Sequence, residues 1–153
     1  MTPRYDRVLV TTDFSRCGDA AIPHAYALVG RGPGTVLLCH VLERPPLPNP
    51  LYAHYSPGRA MNRPERAALA ESLAKKLRGS IPGGIPKAVK TEIRVLDVNV
   101  PVHEAICDLA RRVRAKAIVI ASHGHTGLAR VFLGSTAERV LRTANRPVFV
   151  VRS

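Results

Sequence analysis

Residues 117–141 read AIVIASHGHTGLARVFLGSTAERVL. The first five residues are an unbroken apolar run, the pattern of a strand buried on both faces. The stretch ends as an amphipathic helix. Between the two lie three glycines, two histidines, two serines and two threonines. A strand-to-helix connection needs only a few residues, so this surplus of small and polar material at the end of an apolar strand marks a candidate site.

The same punctuation recurs outward from this stretch. RVLVTT (7–12) reads as a first strand, and 15–31 as a helix with Ser15 as N-cap and Gly30 and Gly32 as stops. Pro23 falls inside that helix and is expected to kink it. TVLLCHVLE (35–43) is a second strand. The stretch 44–62 carries five prolines, which exclude helix and sheet. A second helix is expected over 64–78, an alternating third strand over 88–96, and a third helix over 102–114 with Pro101 favourable at its first turn. A fourth strand (116–121), a fourth helix (135–144) and a closing strand (147–153) follow. Strict alternation of strand and helix predicts one α/β domain over 1–153: a doubly wound sheet of five mostly parallel strands with helices on both faces. With the first strand central between the second and fourth, the order is 3-2-1-4-5, and the alternating third strand lies at an edge.

Composition narrows the function. The chain has 153 residues, 46% of them hydrophobic and 22% charged, as in ordinary soluble domains. No apolar run approaches a membrane span, and the amino terminus lacks a signal-peptide core; a cytoplasmic protein with no membrane partner is expected. Cys17, Cys39 and Cys107 are odd in number and widely spaced, which fits neither a disulfide framework nor a zinc motif. Nor do His24, His40, His54 and His103 form a metal-ligand pattern. The net charge is +12, yet the cations are scattered, without a basic run or interleaved aromatics. A solvated basic surface is expected, with no nucleic-acid binding beyond non-specific charge.

In a doubly wound sheet, ligands bind at the carboxyl ends of the strands where the order reverses, here between the first and fourth strands. Ser135-Thr136-Ala137-Glu138 reads as an S-x-x-E capping box opening the fourth helix, with Gly134 before it. Glycine and hydroxyl at a helix amino terminus suit a phosphate, and Gly124 would let backbone approach a second one. Neither G-x-x-x-x-G-K-[ST] nor G-x-G-x-x-G is present. His123 and His125 have no carboxylate close in sequence to orient them as general bases. Tyr52, His54 and Tyr55 lie in the proline-rich stretch on the ligand side of the sheet, where base stacking and plain exposure both fit.

The spacing ASHG, nine residues, then GS, from Ala121 to Ser135, resembles the universal stress protein family. Its pattern is G-x-x-G, nine residues, G-[ST]. RVLVTTDFS, TVLLCHVLE and RPVFVVRS resemble that family's opening, second and closing strands, so the likeness covers the whole chain. Two positions depart from the pattern. Ala121 replaces the first glycine, where one methyl group weakens a close contact without abolishing it if φ is negative. Asn99 replaces the glycine ahead of Pro101. The resemblance implies a regulatory, stress-response protein that binds ATP, ADP or AMP, with Mg2+ held through the phosphates. Asp13 would lie near adenine and ribose or hold a metal-bound water, and Val41 would meet adenine through its backbone. Ala121, Gly124, Gly134 and Ser135 would line ribose and phosphates, with Thr12, Ser122, His123 and Thr136 as further contacts. It also implies a homodimer through 147–153, which would cover the apolar edge PVFVV. No catalytic residue is assigned. Slow ATP hydrolysis or autophosphorylation is the alternative activity, and a nucleotide-free partner-binding module the alternative class.

Overall fold

The computed structural model describes residues 3–44, 61–123 and 133–152. Gly124, His125, Tyr52, His54 and Tyr55 therefore lie outside the described residues. The elements follow in the order β1 (Arg7–Thr11), α1 (Arg16–Val29), β2 (Gly34–Glu43), α2 (Arg63–Gly79), β3 (Val89–Val98), α3 (Val102–Arg112), β4 (Ala117–Ala121), α4 (Ser135–Thr143) and β5 (Val148–Val151). The strands form one sheet in the order β3-β2-β1-β4-β5. All four pairings are parallel, so the expected topology is met.

The apolar runs of β1, β2 and β4 are buried on both faces because alternate side chains feed two cores. Val8, Val10, Val36, Leu38 and Val119 pack with Ile22 and Ala25 of α1 and Leu77 of α2. Leu9, Leu37, Cys39, Ile118 and Ile120 pack with Ile106 of α3 and Val140 of α4. Both expected edges are observed: β3 on one side and β5 on the other.

Local chemistry sets the helix ends. Ser15 caps α1, its hydroxyl accepting from Gly18 N at 2.9 Å. Gly30, at φ +75°, closes the same helix as glycine readily can. The helix runs through Pro23, which sits on its exposed face. Asn62 and Glu65 form a reciprocal capping box on α2. Pro101 is the N-cap of α3 rather than part of its first turn, and α3 stops at Arg112, short of the expected 114. Two residues later, Arg114 adopts φ +53°, which no helix continues.

A further expectation fails. The capping box on α4 does not form, because its N-cap is Gly134 (φ −61°, ψ 148°) and no side chain caps it. Ser135 is the first helical residue, one position too late to serve as cap. A hydrogen bond from Gly134 N to Ser122 O, 2.7 Å long, places the helix start against the end of β4.

Candidate functional site

Three strand ends and one helix start converge at the carboxyl edge of the sheet. β1 gives way to a tight turn. Thr12 Oγ1 donates to Asp19 Oδ1 at 2.7 Å and accepts from Phe14 N at 2.9 Å. Asp13 Oδ1 accepts from Ser15 N at 2.9 Å and Ser15 Oγ at 2.5 Å. Asp13 thus braces the helix cap without being the cap itself. Phe14 has φ +63°, a left-handed conformation that costs an L-residue about 1–2 kcal/mol. Its ring has two neighbours: His40 lies 4.6 Å away between ring centroids, and Lys76 Nζ sits 4.3 Å from the ring centre. Behind the turn, a Cβ on Gly18 would collide with Asp13 Oδ1 and come within 2.9 Å of Thr12 Oγ1, so only glycine fits there.

β2 outruns β1. Their last paired residues are Thr11 and Cys39, and Thr12 N reaches Cys39 O at 3.0 Å. Strand alternation turns the N–H and C=O of Val41 the same way as those of Cys39, past the point where β1 stops. A backbone donor and acceptor are thereby presented to the space above β1. His40, one residue earlier, has Nδ1 2.8 Å from Thr12 O. A carbonyl only accepts, so Nδ1 carries a proton and donates.

Beyond β4, Ser122 is buried, with Ser122 N donating to Val151 O at 2.8 Å. Ser122 Oγ and His123 Nδ1 lie 2.9 Å apart, and His123 Nε2 is buried with no hydrogen-bond partner among the described residues. Ala121 is absent from the positive-φ residues, so its methyl group meets no backbone penalty. At the start of α4 the first intrahelical bond runs from Glu138 N to Gly134 O. Among the described residues, none accepts from the N–H groups of Ser135, Thr136 or Ala137. Three parallel donors and the positive end of the helix dipole are therefore unmatched among the described residues.

These parts surround one cleft of ≈540 Å3. Its lining includes Thr12 and Asp13 after β1 and Val41 in β2. Ala121, Ser122 and His123 contribute from β4 and just beyond, and Gly134, Ser135 and Thr136 from the start of α4. Every site residue expected from sequence, except Gly124 outside the described residues, is brought to this one place. Sequence reading missed Gly18, His40, Glu43, Val102 and Ile106, which also line it. His40 carried a signal, as a polar side chain at the carboxyl end of an apolar strand. Gly18 carried a weaker one, as a glycine in the first turn of a helix. Val102 and Ile106 read only as a core stripe.

The charge of the described lining is opposite to that of the chain. Asp13 and Glu43 line the cleft, and no Lys or Arg is among its described residues. An anion held here would rest on backbone N–H groups, hydroxyls and histidine, with a hard cation as the natural bridge to the carboxylates. Among the described residues no three His, Cys, Asp or Glu side chains form a metal cluster.

The family model for universal stress proteins matches residues 4–152. The universal stress protein MJ0577 of Methanocaldococcus jannaschii is 27% identical, covering 99% of this chain and 98% of its own. The solved structure of MJ0577 superposes with a TM-score of 0.68 at 27% identity over 99% of this chain and 98% of that one. Two more distant structures share the fold. A universal stress protein in complex with cAMP has a TM-score of 0.58 at 19% identity, covering 98% of each chain. One from Archaeoglobus fulgidus in complex with dAMP has a TM-score of 0.56 at 21% identity, covering 97% of this chain and 98% of that one.

Proposed function

Because the chain belongs to the universal stress protein family, we propose that the cleft binds an adenine nucleotide and that the protein acts as a nucleotide-dependent regulator, not as an efficient catalyst. The observation that carries this reading is the uncapped amino end of α4 inside the cleft at the switch point of the sheet. Three N–H groups with no acceptor among the described residues, and a helix dipole, suit a phosphate. The cleft volume falls in the range of small-ligand sites. The free backbone pair of Val41 matches the donor and acceptor on the adenine edge. The neighbours that hold cAMP and dAMP support an adenylate as the ligand class.

In this reading Val41 meets the base, and Asp13 and Thr12 lie beside base and ribose. Ala121, Ser122 and His123 flank the ribose and first phosphate. Gly134, Ser135 and Thr136, together with Gly124, receive the phosphates. The two carboxylates suit Mg2+ carried on a di- or triphosphate. The ion would neutralise phosphate charge that no Lys or Arg of the described lining meets. No carboxylate is hydrogen-bonded to His123 among the described residues, which is why no general base is assigned.

Two further parts of the reading concern the whole protein. It pairs with a second copy along the outer edge of β5. It works in the cytoplasm, a setting that three free thiols suit; no described helix is long and apolar enough to cross a membrane.

Calorimetric titration with ATP, ADP, AMP and adenosine, with and without Mg2+, tests the proposal. Affinity should fall stepwise as phosphates are removed, and Mg2+ should strengthen only the di- and triphosphate. Equal affinity for adenosine and ATP would remove the phosphate role of α4, and no binding of any of the four would remove the reading.

A further inference from the structure

The two ends of the sheet differ in charge. A parallel sheet collects every helix-to-strand connection at the amino ends of its strands. Residues 3–6, 30–33, 80–88, 113–116 and 144–147 meet there. They carry six basic residues, Arg4, Arg31, Lys87, Arg114, Lys116 and Arg146, against one acid, Asp6. Over the full sequence the strand-to-helix connections, around the cleft, carry fewer, Arg44, Arg59 and Arg130 against Asp13. Six cations from five separate segments are thus brought by topology to one end of the sheet.

That face has a built centre. A shallow groove of ≈450 Å3 lies between the α3–β4 and α4–β5 connections, lined by Arg111, Arg114, Lys116, Asn145 and Arg146. Arg146 is fixed there. Its Nη1 donates to Ala110 O at 2.6 Å and Ala115 O at 2.7 Å, and its Nε and Nη2 reach Asn145 Oδ1 at 3.1 and 2.8 Å. No carboxylate is among these partners; Ala110 O belongs to the last turn of α3, whose negative dipole end suits the guanidinium. Arg111 pairs with Asp108. Arg114 and Lys116 are exposed, with no ion pair among the described residues.

We propose that this amino-end face docks the phosphodiester backbone of double-stranded nucleic acid, without reading sequence. Cations and polar donors are what backbone contacts need. A sheet edge of five strands, about 4.8 Å apart, is roughly 20 Å long. It spans on the order of ten duplex phosphates at one charge per ~1.7 Å. Unpaired bases would need aromatic platforms, yet the one aromatic in these segments, Tyr5, is packed edge-on against Phe149. A bilayer would need an apolar wedge, and a protein partner an apolar centre. The exposed large apolar residues, Met61, Val100, Leu133 and Leu141, lie in none of these segments. The face is at the opposite end of the strands from the cleft, so both can be occupied at once.

Fluorescence anisotropy of a labelled duplex of about two helical turns, titrated across salt, tests the proposal. The parent should bind at low salt, with affinity falling linearly in log–log form. Arg114→Asn with Lys116→Gln removes two cations, and asparagine tolerates the left-handed backbone at 114. Affinity should drop ~10-fold or more, and the salt slope should shrink by about two. Arg63→Gln with Lys75→Gln lowers net charge equally on exposed residues of α2, across the sheet from the groove, and should leave affinity nearly unchanged. If the groove variant unfolds, Arg4→Gln with Arg31→Gln probes the same face and should also lose affinity. Equal loss in the control and groove variants would reduce the effect to net charge and overturn the proposal. So would absence of binding by the parent at low salt, or tighter binding to phosphatidylserine vesicles that the duplex cannot displace.

Discussion

At the scale of single residues, Gly134 and Ser135 divide their tasks differently from the sequence pattern. S-x-x-E names a cap, but the bond from Gly134 N to Ser122 O sets the helix start one residue earlier. The pattern could not reveal this, because a contact to β4 decides it. A Cβ at Gly134 would stand 2.8 Å from Ser122 O, so any larger residue there must shift backbone and would confuse folding with binding. Elsewhere, Asp97 at the end of β3 ties the ends of two elements together. Arg66 of α2 reaches it through Nη2 at 2.6 Å and through Nε, and Arg44 after β2 through Nε at 3.0 Å. The hydrogen bonds from Arg66, helped by Arg44, hold its carboxyl at about 2, below the ~3.9 of a free aspartate. A lowered pKa contributes stability that is present above about pH 4 and lost as pH falls toward 2. Asp97→Asn should therefore lower the urea midpoint at pH 6, and the gap to the parent should close on acidification through that window. A gap independent of pH would show that the ion pairs contribute nothing.

At the scale of elements, most of the fold was legible. Short apolar runs between glycines, prolines and capping residues gave β1, β2, β4 and β5, polar–apolar alternation gave β3, and strict alternation of strands with helices gave the parallel order. The ends were less legible where tertiary contacts set them. β1 stops at Thr11 because the turn from Thr12 to Ser15 takes over its hydrogen bonds, and α3 ends early at the left-handed Arg114. Pro23 shows propensity overridden by packing. Ala21, Ile22, Ala25 and Tyr26 are buried against the sheet, and they hold α1 through a residue that costs about 3 kcal/mol in a helix interior. Because Pro23 is exposed, Pro23→Ala restores a donor to Asp19 O without removing core contacts. It should raise stability by ~1–3 kcal/mol, read as a higher urea midpoint with an unchanged m-value. No gain would mean that the helix has already relaxed around the ring.

At the scale of the whole molecule, the site was legible as a set of loops because topology brings the carboxyl ends of β1, β2 and β4 together. Its floor was not, since Val102 and Ile106 look like any core stripe until α3 is placed. The basic face at the other end was invisible in sequence, because its cations come from five separate segments. The proposed dimer can be tested through one backbone group. The carbonyls of Pro147 and Val151 accept from Ile118 of β4 and from Ser122 just beyond it, so strand alternation leaves the N–H groups of Val148 and Val150 on the outer edge. Val150→Pro should keep the fold and convert a dimer to a monomer in sedimentation at micromolar concentration; a folded variant of unchanged mass would place the interface elsewhere. The central claim, that the amino end of α4 receives a phosphate, is tested most directly by Ser135→Pro. Proline is favoured at a first helical position, and Gly134 at ψ 148° already has the extended backbone that precedes one. The change removes one N–H and one hydroxyl while preserving the helix start. Titration of AMP and adenosine into parent and variant should show AMP binding ~10-fold or more weaker in the variant, from two lost hydrogen bonds of about 1 kcal/mol each, with adenosine affinity unchanged. A folded variant that binds AMP as the parent does would contradict the account.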